Sequence, residues 1–170
     1  MIIIVKHGFC EKLFFDETGK RLAALRSAKL FGAEKAVVGS DKTVKYETGI
    51  ENLSDKPAGE NRRYTLKQDS VLVASARPLY AADTNHFTIP KSPRPLGLEI
   101  EMIDGEQWRV DRDKDNSVKI YTPDGAGKLS DFFSTCPQVF ELPKGSNIYL
   151  WAGVYAMVGY MMHEDDIYPV

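Results

Sequence analysis

One acidic segment in the sequence has the ligand types of a calcium site. Asp111 to Asn116 reads DRDKDN, with the alternating oxygen ligands that open a calcium-binding loop. Thr122 stands at the twelfth position, where an EF-hand requires a bidentate glutamate, and no helical pattern flanks the segment. We therefore interpret it as a polar β-turn between Val110 and Val118, with a cation site across Asp111 to Asp115 as the alternative.

Residues that could catalyse reactions or bind transition metals stand alone in this sequence. His7, His86 and His163 lack Cys or carboxylate partners at metal-ligand spacing. Ser130 and Ser134 lack the GxSxG elbow of a serine hydrolase. We expect no catalytic residue, no metal ligand and no cofactor.

The two cysteines point to a reducing compartment. Cys10 and Cys136 lie far apart and form no CxxC or Cys/His spacing, so the expected state is two free, buried thiols. The apolar start of the chain is too short for a secretory signal and its basic residue follows the apolar run. Together these features predict a cytoplasmic protein.

Two groups of residues are candidates for binding phosphate. Gly125 to Lys128 reads GAGK but lacks the complete GxxxxGK[ST] pattern, so it is interpreted as a turn. Basic residues in predicted loops can attract anionic lipid. There are four of these, expected to be solvated: Arg62, Arg63, Lys91 and Arg94.

Length and composition describe an ordinary globular protein. The chain has 170 residues, 43% hydrophobic and 27% charged, which suits a single domain spanning residues 1–170. Its formal net charge of −2 is unlike that of a typical nucleic-acid-binding protein, so we expect no nucleic-acid partner.

The elements that must position these residues are predominantly short β-strands. Ten to twelve segments rich in β-branched and aromatic residues occupy about residues 1–143, separated by turn residues. The Asp104-Gly105 pair between two alternating segments is the strongest hairpin signal among them. Regular spacing of this kind predicts an all-β barrel or sandwich.

A single long helix is predicted at about residues 147–163. Ile148 to Met162 contains no charged residue and is apolar or aromatic on every side, unlike a surface helix. At about 1.5 Å per residue it would be roughly 22 Å long, shorter than the roughly 30 Å hydrocarbon core of a bilayer. We therefore predict a helix wrapped by protein and no integral membrane span. Ser146 or Asn147 is expected to cap it.

This order of elements resembles the tubby C-terminal-like superfamily, which includes the plant LURP-one-related proteins and the phospholipid scramblases. The resemblance lies in three segments: DETGKRLAALRS, IDGEQWRV and the tail FELPKGSNIYLWAGVYAMVGYMMHEDD. It implies a mainly β fold, a closed antiparallel barrel of about twelve strands with a buried hydrophobic C-terminal helix. Members of the superfamily are mostly linked to binding rather than catalysis, including phosphoinositide binding by tubby.

Three hypotheses for function follow. The first is a non-enzymatic binding or scaffolding module whose partner is an anionic phospholipid or a protein. The second is a membrane-associated protein anchored by the C-terminal apolar helix. The third is an enzyme of unrecognised type on a β-barrel or sandwich, which the three scattered histidines argue against for a cupin-like metal site.

Overall fold

The computed structural model describes residues 1–28, 33–53, 62–80 and 95–163. Within these ranges the chain forms twelve strands and then one helix. The strands are β1 (Ile2–Gly8), β2 (Glu11–Phe15), β3 (Arg21–Ser27), β4 (Lys35–Gly39), β5 (Val44–Asn52), β6 (Arg62–Gln68), β7 (Val71–Tyr80), β8 (Pro95–Met102), β9 (Gln107–Arg112), β10 (Val118–Thr122), β11 (Gly125–Leu129) and β12 (Gln138–Glu141). The helix is α1 (Ile148–Met162).

The strands form a closed antiparallel barrel in which each strand pairs with its neighbours in sequence. The first and last strands close the ring, with Ile3 opposite Phe140 and Val5 opposite Gln138. The amino terminus of Met1 donates a 2.8 Å hydrogen bond to the carbonyl of Leu142 at this seam. Closure pairs every edge, which removes the exposed strand edges that promote aggregation. The predicted fold class is confirmed.

The centre of the barrel is filled by α1. Alternate strand residues point inward and are fully buried, as Leu98 and Ile100 on β8 show. The helix meets them with apolar residues around its circumference, and Val154, Met157 and Val158 are completely inaccessible. The prediction that protein wraps the helix on all sides is confirmed. The described residues include no helix with the length and apolarity needed to cross a membrane.

Polar groups at the start and in the middle of the helix are satisfied by the surrounding protein. Asn147 caps the helix, its side-chain oxygen accepting from the backbone N–H of Tyr149 at 3.0 Å and of Leu150 at 3.4 Å. Tyr155 donates its hydroxyl to the Gln138 side chain at 2.7 Å. Tyr160 donates to a backbone carbonyl in the β3–β4 connection at 2.6 Å. These bonds orient the helix within the barrel.

The prediction of a turn at Gly125 to Lys128 is wrong, because these residues form most of β11. The reason is a contact with the helix. A Cβ atom on Gly127 would lie 2.6 Å from the Trp151 ring and 3.2 Å from the Glu141 carbonyl. Only a glycine lets this strand lie against the indole, so its glycine content reflects packing rather than a phosphate loop.

Candidate binding surface: a cationic rim at one end of the barrel

The two ends of the barrel differ in what they present around the helix. At the end that we call the lower end, α1 begins at Ile148. At the opposite, upper end, α1 finishes at Met162 and His163. The connections at the upper end include the Phe9-Cys10 turn, residues 113–117 and residues 130–137.

Cations occupy the inner-face positions of several strands as they reach the upper end. Lys12 lies two residues from buried Phe14, Lys35 two from Val37, Arg62 two from Tyr64, and Arg112 two from Val110. Because side chains two apart on a strand share a face, these cations lie on the same face as the core residues. We name Lys12, Lys35, Arg62 and Arg112 the cationic rim.

Lys12 interacts with a histidine on the neighbouring strand. Lys12 and His7 are directly opposite in the β1–β2 pair, and Lys12 Nζ lies 2.6 Å from His7 Nδ1. Burial, together with the charge of Lys12, lowers the pKa of His7, and burial also lowers the pKa of Lys12. Near neutral pH the histidine is therefore neutral and accepts from the lysine, which carries the positive charge.

Lys35 and Arg112 also have neutral hydrogen-bond partners. Lys35 Nζ donates to the Ser27 hydroxyl at 3.3 Å, and Arg112 Nη2 donates to the Asn116 side-chain oxygen at 2.8 Å. Both cations are half-buried. Within the described part of the chain, Lys12, Lys35 and Arg112 form no ion pair with a carboxylate, so their charges remain available to an anion.

Five other cations of the barrel are each paired with a carboxylate. The paired residues are Arg26 with Glu11, Lys45 with Asp41, Lys67 with Glu51, Arg77 with Glu99, and Arg109 with Asp111. Exposed pairs of this type contribute little to stability, but they cancel local charge. The three rim cations Lys12, Lys35 and Arg112 therefore differ from these five paired cations, although Lys42, Lys119 and Lys144 also form no ion pair within the described residues.

The sequence predicted that Arg62 lies in a solvated loop, and this prediction is wrong. It is the first residue of β6 and is only 5% exposed, whereas the adjacent Arg63 points to solvent. Alternation along the strand turns the Arg62 side chain inward with Tyr64. The other two predicted loop cations, Lys91 and Arg94, fall outside the described residues.

The cationic rim lies at the same end of the barrel as the last turn of α1. The backbone N–H of His163 donates to the Gly159 carbonyl at 3.1 Å, which closes the last turn of α1. The carbonyl end of a helix carries partial negative charge and is stabilised by nearby cations. The half-exposed members of the cationic rim, Lys12, Lys35 and Arg112, also face solvent.

The acidic segment at the end of β9 is a turn, as predicted, although Asp111 and Arg112 still belong to the strand. Hydrogen bonds from the Ser117 side chain and from its backbone N–H, the latter at 2.9 Å, lower the pKa of the Asp115 carboxyl. Asp113 accepts from the backbone N–H of Lys114 at 2.7 Å. Among the described residues there is no group of three or more His, Cys, Asp or Glu side chains able to hold a metal ion.

The serines considered for catalysis shape the β11–β12 connection instead. Ser130 accepts from the backbone N–H of Val139 at 2.9 Å, and Ser134 accepts from that of Cys136 at 3.2 Å. His163 stacks against Phe132 and Phe133, with ring centroids 5.8 and 5.4 Å away. These contacts bring together no nucleophile and base.

The cysteines are free, as predicted, but the prediction that they are buried is wrong. Cys10 and Cys136 are both exposed on connections at the upper end. Each lies outside the strands, where side-chain alternation does not direct it inward. His86 falls outside the described residues.

The rim was not identified from the sequence because closure of the barrel creates it. Taken singly, Lys12, Lys35 and Arg112 look like ordinary polar positions at strand ends. The signal in the sequence is their spacing, since each lies two residues along its strand from an apolar residue whose side chain is buried. Four such cations become one surface only when the register of the whole ring is known.

Comparison with solved structures identifies one protein of the same architecture. An X-ray structure of a protein from Arabidopsis thaliana matches with a TM-score of 0.60 and 10% sequence identity, covering 93% of this chain and 88% of the plant protein. The chain shares the fold of this plant protein. At this identity the likeness concerns fold alone. The sequence matches no protein-family model and no curated protein.

Proposed function

We propose that the chain is a tubby-like barrel and acts as a non-enzymatic binding module that docks on anionic phospholipid through its cationic rim. The architecture favours binding over catalysis, because α1 fills the space that a lumenal substrate would need. Membership of the tubby-like superfamily rests on the twelve-strand barrel closed around a hydrophobic helix. A cytoplasmic location, with access to an anionic membrane leaflet, is part of the proposal.

One observation carries the lipid proposal. Lys12, Lys35 and Arg112 bind only neutral acceptors, while five other cations on the barrel are paired with carboxylates. Separate lipid phosphate groups at the upper end can each offer one of these cations the charge-assisted hydrogen bonds that the protein does not supply. Lys12 on β2 and Lys35 on β4 are two strands apart, roughly 10 Å of sheet, a span that suits several headgroups at a surface.

The proposal is tested by flotation with liposomes of phosphatidylcholine alone or with phosphatidylserine, at low and high salt. Each cation near an anionic membrane contributes about 1 kcal/mol, so changing Lys12, Lys35 and Arg112 to Gln should weaken binding roughly a hundredfold. The matched control changes Lys67, Arg77 and Arg109 to Gln, which removes the same formal charge from paired positions. We expect it to retain most of the binding.

Three results would separate the hypotheses. Binding to anionic vesicles that high salt abolishes, and that only the rim variant loses, agrees with the proposal. Equal losses of vesicle binding in the two variants would show that net charge, and not the cationic rim, determines binding, and would overturn the proposal. Absence of binding by the wild-type protein would overturn the lipid assignment and leave a protein partner as the remaining ligand class for a binding module.

A further inference from the structure

A phenylalanine at the upper end is exposed to a degree that the fold does not explain. Phe9 is 97% exposed, more than any other large hydrophobic residue in the described chain. It lies in a two-residue turn between Gly8 and Glu11, which pair directly across β1 and β2. The side chain contributes nothing to the core, while exposing an aromatic ring to water is unfavourable.

The residue types in this turn differ from those in the other tight turns. Cys10 adopts the left-handed conformation, with φ 58°, as Lys42 and Ser70 do in two other turns, so the difference lies in residue type rather than backbone conformation. The other short β-hairpin turns in the described residues each contain Asp, Asn or Gly, as at Asp16, Asp69, Asp104 and Asn116. The Phe9-Cys10 turn has none of these residues. Local rules broken at an exposed tip indicate a constraint other than folding.

The surroundings of Phe9 are positively charged. Lys12 and Lys35 belong to the cationic rim, and Arg26 is paired with Glu11, whereas the Lys6 ammonium lies 5.0 Å from the centroid of the Phe15 ring, towards the lower end. Among the described residues, the upper end of β1 to β4 therefore has three cations, Lys12, Arg26 and Lys35, against two carboxylates, Glu11 and Glu34.

A second exposed aromatic lies on the neighbouring connection. Phe133 is 44% exposed in the β11–β12 connection, and β12 is paired with β1. Phe132 and His163 hold its ring from one side, with centroids 5.6 and 5.4 Å away. Phe9 therefore does not stand alone, because the adjacent connection presents a supported aromatic surface at the same end.

The lower end also exposes apolar side chains, but beside acidic residues. Val44, Val71 and Ile103 are 54%, 65% and 72% exposed there. Each of the five hairpin turns at this end contains an aspartate: Asp16, Asp41, Asp69, Asp104 and Asp124. Lys20, Lys42 and Lys144 also lie in the connections at this end, but carboxylates outnumber them, and the net negative charge disfavours contact with an anionic bilayer.

We propose that Phe9 inserts into the interfacial layer of an anionic bilayer while Lys12 and Lys35 contact lipid phosphates around it. This inference rests on the proposed lipid-binding function and specifies how the barrel docks. An exposed aromatic ring gains by leaving water, and neighbouring cations hold the tip at the headgroup level. Asp113 and Asp115 lie on the β9–β10 turn, three to four strands from β1 around the barrel and therefore away from the Phe9 tip.

The inference is tested first by substitution of exposed apolar residues at the two ends. Phe9→Ala should weaken binding to phosphatidylserine vesicles at least tenfold and remove the part of the binding that persists at raised salt. Ile103→Ala is the matched control at the lower end and should bind as the wild type does. Because both side chains are largely outside the core, thermal unfolding should be nearly unchanged in each variant.

The second measurement places a reporter next to Phe9. The Cys136→Ser protein is labelled at Cys10 with an environment-sensitive fluorophore, and a second protein carries the label at Ile103→Cys in a Cys10→Ser, Cys136→Ser background. On anionic vesicles we expect the Cys10 label to shift to shorter wavelength and to be quenched by nitroxide lipids. The label at position 103 should do neither.

The outcomes distinguish the docking mode from the proposed function. If the wild-type protein binds vesicles while Phe9→Ala binds equally well and the Cys10 label stays in water, insertion is overturned and lipid binding stands. If the wild-type protein does not bind vesicles, the proposed function itself fails and insertion fails with it. Loss of binding only in Phe9→Ala, with a shifted Cys10 label, supports both.

Discussion

The buried tyrosine hydroxyls show how single residues link the helix to the barrel. Tyr160 and Thr48 have their hydroxyls 2.7 Å apart, and Tyr160 donates to the Ala33 carbonyl at 2.6 Å. Burial raises the pKa of Tyr160 to about 12, although hydrogen bonding to Thr48 and to the Lys35 backbone acts in the opposite direction. The side chain is therefore a neutral anchor that connects α1 with β5 and with the connection before β4.

This raised pKa gives stability a dependence on alkaline pH. In the unfolded chain a tyrosine ionises near pH 10, so between about pH 10 and 12 the unfolded state is deprotonated while Tyr160 in the folded state is not. The free energy of unfolding is therefore fully retained below pH 10 and falls as pH rises through this window. We expect Tyr160→Phe to be about 1 kcal/mol less stable at pH 7 but to lose stability less steeply above pH 10.

Urea unfolding at pH 8, 10 and 11 measures these slopes. Tyr121→Phe is the matched control, because Tyr121 is 43% exposed on the outer face of β10 and should leave the wild-type slope unchanged. Identical slopes for Tyr160→Phe and the wild-type protein would contradict the prediction.

At the scale of elements, local pattern predicts those elements whose own residues determine them. Ile148 to Met162 has an apolar surface on every side and a cap residue before it, and α1 has those bounds. The Asp104-Gly105 pair predicts the β8–β9 hairpin, in which Gly105 adopts φ 91°. β11 could not be predicted, because its glycines suit a distant indole on α1 rather than any local strand preference. The rim could not be predicted either, since it depends on register around the whole barrel.

The helix also contains a matched pair of glycines that tests its packing. A Cβ on Gly153 would lie 2.5 Å from Leu66 Cδ1, and Leu66 is fully buried, whereas a Cβ on Gly159 would meet Phe132 Cζ at 3.4 Å. Alanine favours a helix over glycine by about 1 kcal/mol at both positions. Overpacking at Gly153 costs about 1–3 kcal/mol, so Gly153→Ala should be neutral to destabilising and Gly159→Ala neutral to stabilising.

Thermal and urea unfolding of the two single variants provide the comparison. The difference between them is the informative quantity, because the change in helix propensity is common to both and cancels. A Gly153→Ala protein as stable as Gly159→Ala would show that Leu66 moves aside and that the helix fits less tightly than the distances indicate.

For the whole molecule, the position of α1 decides between surface docking and insertion of the helix into a membrane. The helix is enclosed by a closed barrel, and its release would break the core contacts and the hydrogen bonds of Tyr155 and Tyr160. A bilayer would have to compensate for all of these contacts. Docking through the cationic rim requires no such rearrangement, so the barrel stays intact in the proposed binding mode.

The two tryptophans of the chain report directly on this choice. Trp108 on β9 and Trp151 on α1 have ring centroids 5.2 Å apart and are 7% and 3% exposed. On anionic vesicles we expect their near-ultraviolet circular dichroism and emission maximum to stay those of the free protein, with no quenching by nitroxide lipids. The urea-unfolded protein provides the reference spectra, in which the two tryptophan rings are separated. If vesicles produced such a loss of the dichroism signal together with quenching, α1 would have left the barrel, and the protein would be anchored by its helix instead.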